Sequence, residues 1–184
     1  MRNRAIALLM LAAVVAAPAH AQLSVEGPIA QSEASHAFGG AAYTLRPEDL
    51  NKQGYVEEEF FVSGKANVYD WPATGAVVRT ADAPYTTRVL VRRPKSKGKF
   101  SGRVVVEMLN PSNLFDLNIG WAIQHKEIVR SGDAWVGITA KPVAVATPKT
   151  FDAQRYASSS WKYPLAADDP NVMMGTILGS CVAA

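Results

Sequence analysis

Hydrophobic spacing changes character along this chain. Over 55–64 (YVEEEFFVSG) and 85–94 (YTTRVLVRRP) apolar and polar residues interleave, with β-branched and aromatic side chains in excess, and both stretches read as strands. In the second, Thr87, Val89 and Val91 share one face, while Arg88, Leu90 and Arg92 share the other. That is the pattern of an antiparallel strand with one face wet. Gly64 and Pro94 are expected to end the two strands. Between them, ANVYDWPATG (66–75) offers aromatic anchors and then a Pro/Gly turn.

Alternation then stops. VVVEML (104–109) is a nearly continuous apolar run broken only by Glu107, and it predicts a strand buried on both faces, as in a parallel sheet. It ends abruptly in Asn110-Pro111-Ser112-Asn113. A helix is predicted over 116–131. Asn113 or Asp116 can cap its start, where negative charge is favoured; Lys126 and Arg130 sit near its end; Gly132 can stop it. Leu117, Trp121 and Ile128 recur at spacings that put them on one side, toward a sheet. AWVGITA (134–140) is a second apolar strand. Strand, helix and strand in this order make a crossover between parallel strands. After an antiparallel start, the expected fold is a mixed α/β sheet.

The flanks carry weaker signals. Residues 22–50 are small and polar and read as an extended arm. Beyond 140, a stretch with four prolines reads as a loop with one short helix near 151–157, and 171–184 (NVMMGTILGSCVAA) ends the sequence in apolar and small residues. The expected organisation is a signal peptide at 1–21, the arm at 22–50, a partial α/β domain at 51–150, and a loop and irregular tail at 151–184.

The signal peptide rests on Arg2 and Arg4, an apolar run of 13 residues over 5–17, and AHA before a cleavage point between Ala21 and Gln22. The run falls short of the ~20 residues that span a bilayer, so no stable membrane anchor is expected. The destination is the periplasm or the exterior. Cleavage would take Arg2 and Arg4 from 19 basic residues, leaving 17 against 16 acidic ones and a net charge of +1. That gives no electrostatic case for nucleic acid. RRPKSKGK (92–99) reads as a solvated turn, and Cys181, the one cysteine, has no disulfide partner and no neighbour to make it a thiolate.

Four stretches, YVEEEFFVSGKANVYDWP, APYTTRVLVRRP, FSGRVVVEMLNPSN and HKEIVRSGDAWVGITAK, resemble the amino-terminal part of the bacterial exported α/β-hydrolase domain-containing proteins, which are regarded as serine hydrolases or esterases. The resemblance runs from about Gly54 to Asp169. It implies an α/β-hydrolase fold whose first strands are antiparallel, followed by the strand-helix-strand unit, with the sheet incomplete. It also implies a small ester-like substrate for the complete protein and no cofactor. Family members are longer, with a nucleophile elbow, an acid and a histidine further along. Here Ser180 has Val182 where G-x-S-x-G needs glycine, so it is not expected to be a nucleophile. The tail after Asp169 departs from the resemblance, which points to truncation or a frameshift.

In this fold the loop after the third strand gives a backbone N–H to the oxyanion hole. Asn110, Ser112 and Asn113 have donors to offer, whereas Pro111 has none and fixes the turn. The plain alternative is a strand-to-helix turn with a cap. His36 and His125 are expected to be structural, and Asp168-Asp169 with scattered glutamates lacks metal-ligand spacing. Glu107 is expected to pair with Arg88 or Arg103, or to face a cleft. The rival reading is a secreted β-rich module that stacks Tyr55, Tyr69, Trp71 and Tyr85 on sugars or another ligand.

Overall fold

A computed structural model describes residues 23–70 and 72–161. The signal peptide, the cleavage point at Ala21 and Gln22, the Trp71 side chain, Ser180 and Cys181 lie outside the described residues. One mixed sheet organises the rest. Its strands are β1 (Ser24–Glu26), β2 (Tyr55–Asp70), β3 (Val77–Pro94), β4 (Val104–Met108), β5 (Ala134–Ile138) and β6 (Ser160–Trp161), and two helices, α1 (Ile119–Ser131) and α2 (Val143–Phe151), accompany them. The order across the sheet is β1-β2-β3-β5-β4, with β6 also on β3. β2, β3 and β5 run antiparallel to their neighbours in turn, and β4 and β5 are parallel, in register from Val104↔Ala134 to Met108↔Ile138. The antiparallel start and the parallel crossover are therefore both as the residue pattern predicts.

The differences are instructive. β2 does not stop at Gly64. It continues to Asp70, because Gly64 pairs with Tyr85 and its missing Cβ leaves room for the Tyr85 ring. The arginine side of β3 is the inner one: Arg88 and Arg92 are buried, while Val89 and Val91 are half exposed. β4 is not buried on both faces, since Val104, Val106 and Met108 alternate outward. α1 starts at Ile119, not Asp116, which turns inward instead of capping. Its end agrees with expectation. Gly132 has φ 73° and its N–H closes on the carbonyls of Ile128 and Val129. A Cβ at Gly132 would also run into the Lys99 carbonyl, so glycine is required there twice over.

α2 occupies what reads as loop, and 153–158 forms turns where a helix is expected. Pro148 inside α2 removes one helical donor, but Pro148 and Ala144 are both buried, and that packing outweighs the loss. The core lies between the sheet and α1. Arg92 is clamped there, with its guanidinium 4.5 Å from the Trp121 ring and 4.7 Å from the Trp135 ring. Trp121 and Trp135 meet edge to face at 5.5 Å. Among the described residues no helix is long and apolar enough to cross a membrane.

Candidate active site

Parallel strands direct their carboxyl ends, and the loops that follow, to one rim of a sheet, where open α/β folds bind ligands. The loop that leaves β4 is tied at both ends. The Leu109 N–H donates to the Ile138 carbonyl, and Asn110 and Leu117 exchange two backbone hydrogen bonds of 2.9 Å, so 111–116 form a closed turn. Inside it the Ser112 N–H donates to Asn110 Oδ1 at 2.8 Å, and the Leu114 N–H to the Pro111 carbonyl at 2.9 Å. Leu114 takes a left-handed φ of 64° and leaves its side chain exposed. Thr147 of α2 donates its hydroxyl to the Leu114 carbonyl at 2.9 Å, fixing the outer side of the loop.

Of the three loop amides with donors to offer, two are thus occupied. Asn110 spends its N–H on Leu117 and Ser112 on the Asn110 side chain. Asn113 is exposed, and its N–H has no partner among the described residues. An unspent donor on a braced turn is the arrangement that stabilising an oxyanion requires, because the dipole need not reorganise as charge develops.

Beneath the loop lies a buried ionic network. Glu59 of β2 accepts from Arg88 Nε at 2.5 Å, Arg155 Nε at 2.6 Å and the Tyr156 hydroxyl at 2.8 Å. Arg88 reaches Asp116 at 3.2 Å and also the Phe38 carbonyl. Asp116 accepts in turn from the Thr139 hydroxyl after β5. Two carboxylates face two guanidiniums, so the cluster is close to neutral. Burial works against the Arg88 charge, but Glu59, with Tyr156 and Asp116, outweighs it and raises the guanidinium above its ordinary value. Burial raises the Asp116 carboxyl, and Arg88 and Thr139 oppose that only in part. Beside the network, Arg88, Thr139, Ala144, Tyr156 and Ser159 line a small crevice.

A family described as Alpha/beta hydrolase domain matches residues 25–179 of the sequence. The chain belongs to that family. The match starts well before Gly54 and passes Asp169 by ten residues, so the arm and the first part of the apolar tail are family sequence, contrary to a resemblance ending at Asp169. No curated protein and no solved structure matches the chain.

Within this hydrolase domain the remaining sequence candidates fall as follows. Glu107 pairs with neither Arg88 nor Arg103. It accepts the N–H groups of Gly120 at 2.6 Å and Trp121 at 2.9 Å, and the Trp135 indole N–H at 2.9 Å. It therefore caps α1 from the adjacent strand. Arg103 pairs with Asp133 instead, at 3.1 Å. The His36 ring stacks on Tyr43 at 3.4 Å, and that of His125 lies against the Trp121 carbonyl and Glu48; neither has a serine partner among the described residues. Tyr55 and Tyr85 are buried, the first donating its hydroxyl to Ile128 and Asp133 carbonyls, so they cannot stack on a sugar.

The network of Glu59, Arg88, Asp116, Arg155 and Tyr156 escapes a reading of the sequence alone, and it has a testable consequence. Burial is the main reason that the Tyr156 phenol is pushed up to about 12. Between the ordinary tyrosine value near 10 and that value the folded state holds a proton that the unfolded state gives up, so stability falls as pH rises through this window. Denaturation at stepped pH should show this downward slope in the wild type. Tyr156→Phe, although less stable at neutral pH for loss of two hydrogen bonds, should lessen it.

Proposed function

We propose that the chain belongs to an exported serine hydrolase that cleaves ester-like bonds, and that it supplies the oxyanion side of the active site. The observation that carries this reading is the unspent Asn113 N–H on a braced loop at the carboxyl end of β4, in a chain of the Alpha/beta hydrolase domain family. In the complete reaction a serine oxygen attacks the carbonyl carbon while a histidine takes its proton. Negative charge gathers on the carbonyl oxygen, and the Asn113 N–H donates to it. Such donors contribute roughly 3 kcal/mol each to lowering a barrier. Asn110 and Ser112 act indirectly, by holding the turn. Export is supported by Arg2, Arg4, the apolar run at 5–17 and the AHA cleavage pattern.

The nucleophile and the base are a different matter. His36 and His125 are held by other partners, and Ser180 lacks the glycine two positions on that a strained elbow needs. The 184-residue chain alone is therefore expected to leave a nitrophenyl acetate unhydrolysed above the buffer rate. Turnover by the purified chain that disappears in Ser180→Ala would overturn this assignment and place the nucleophile in the tail.

A further inference from the structure

The two faces of the sheet are treated differently. One carries Trp135 and is covered by α1. The register puts Val104, Val106 and Met108 of β4, Val136 of β5, and Val89 and Val91 of β3 together on the other. The three on edge strand β4 are about half exposed, at 51–52%; Val136, Val89 and Val91 are half-buried, and Ala134 and Ile138 of β5 on the same face are buried, so the bare part lies along β4. An exposed apolar row along β4, continued by apolar residues of β5 and β3, is more than an ordinary water-facing sheet side carries.

We infer that residues 171–184 of this same chain cover that surface. The segment, NVMMGTILGSCVAA, has no Asp, Glu, Lys or Arg among its 14 residues, so it loses no charge hydration on docking. Its tether starts on the sheet, because β6 pairs with β3 at Tyr85 and Thr86. The nine residues between can reach about 30 Å when extended. The four strands β2 to β4 span only about 14 Å. Fourteen residues cover roughly 21 Å even if coiled into a helix. Competition from a second copy is weak, since a tether this short gives an effective concentration on the order of millimolar, against micromolar protein in solution.

Cys181 makes the inference measurable. It is the only cysteine, and it lies inside the segment. Val106→Cys places a second thiol on the bare face, Met108→Cys repeats the test at another site, and Glu127→Cys places one on the exposed side of α1. Each purified variant is oxidised at micromolar concentration and its disulfide mapped by peptide mass spectrometry. The expected result is an intramolecular bond to Cys181 from positions 106 and 108, forming about tenfold faster than from position 127. Equal rates at all three positions would mean that the tail does not dock. Bonds joining position 106 of two molecules would assign the face to a second copy. Either result overturns the inference, and circular dichroism of each variant confirms that it has folded.

Discussion

Replacing Glu59 with alanine is expected to cost about 4 kcal/mol, the range measured when one member of a buried ion pair is removed. The carboxylate is fully buried and is shared by Arg88, Arg155 and Tyr156. Without it two buried guanidiniums lose their shared carboxylate, and of the pair only Arg88 keeps a carboxylate partner in salt-bridge contact, Asp116. The loss should extend beyond β2. Arg155 also holds the Ala30 carbonyl and Arg88 the Phe38 carbonyl, so the arm is fastened to the sheet through the same pair. Since a domain of this size holds only 5–15 kcal/mol in total, Glu59→Ala should move the urea midpoint far toward zero or leave the chain unfolded. Glu59→Gln keeps the shape and some hydrogen bonds but not the charge, and should fall between. A wild-type midpoint in Glu59→Ala would show that the network contributes little.

The second large effect is expected at Glu107. Its carboxylate closes the first turn of α1 by accepting two backbone N–H groups and also receives the Trp135 indole N–H. Removing it strands three donors, each costing 1–3 kcal/mol where water cannot reach. Gly120 and Trp121 are near the helix end and regain some water, so the total for Glu107→Ala should be about 3 kcal/mol. Glu107→Gln retains one acceptor oxygen and should recover about half. Tryptophan fluorescence gives a second readout, because the Trp135 indole changes its hydrogen bonding in the alanine variant. Unfolding curves that superimpose on the wild type would show that the carboxylate is not a cap.

The unit β4–α1–β5 is legible in the sequence because its signals are local: an apolar run, a 3.6-residue stripe with Trp121 and Ile128, a glycine stop and a second apolar run. Gly64 misleads because a glycine inside a strand and a glycine at its end look alike until the cross-strand ring of Tyr85 is known. The arginine face of β3 is hidden for a deeper reason. Alternation sets Arg88 and Arg92 on one face without saying which face is wet, and their carboxylate partners Glu59 and Glu57 lie 29 and 35 residues away. One signal was there to be used. Glu57 and Glu59 share a face of β2 at period two, and in an antiparallel hairpin that face meets the matching face of β3, where Arg88 and Arg92 sit. The loop shows the same division. The Asn-Pro-Ser sequence is a recognisable turn in which an asparagine side chain binds the amide two residues on, which assigns the Ser112 N–H locally. The bridge from Asn110 to Leu117 requires the fold, and only with it does Asn113 stand apart.

The central claim, that Asn113 presents the donor for the oxyanion, is tested most directly by following backbone amides in the ¹⁵N-labelled chain during titration with butyrate, whose carboxylate oxygen stands in for the charged carbonyl oxygen. The Asn113 amide should move progressively downfield, while those of Asn110 and Ser112, already bonded within the loop, stay within a small fraction of that shift. An Asn113 signal that stays still, or moves no further than its two neighbours, would contradict the claim and reduce the loop to a turn between a strand and a helix.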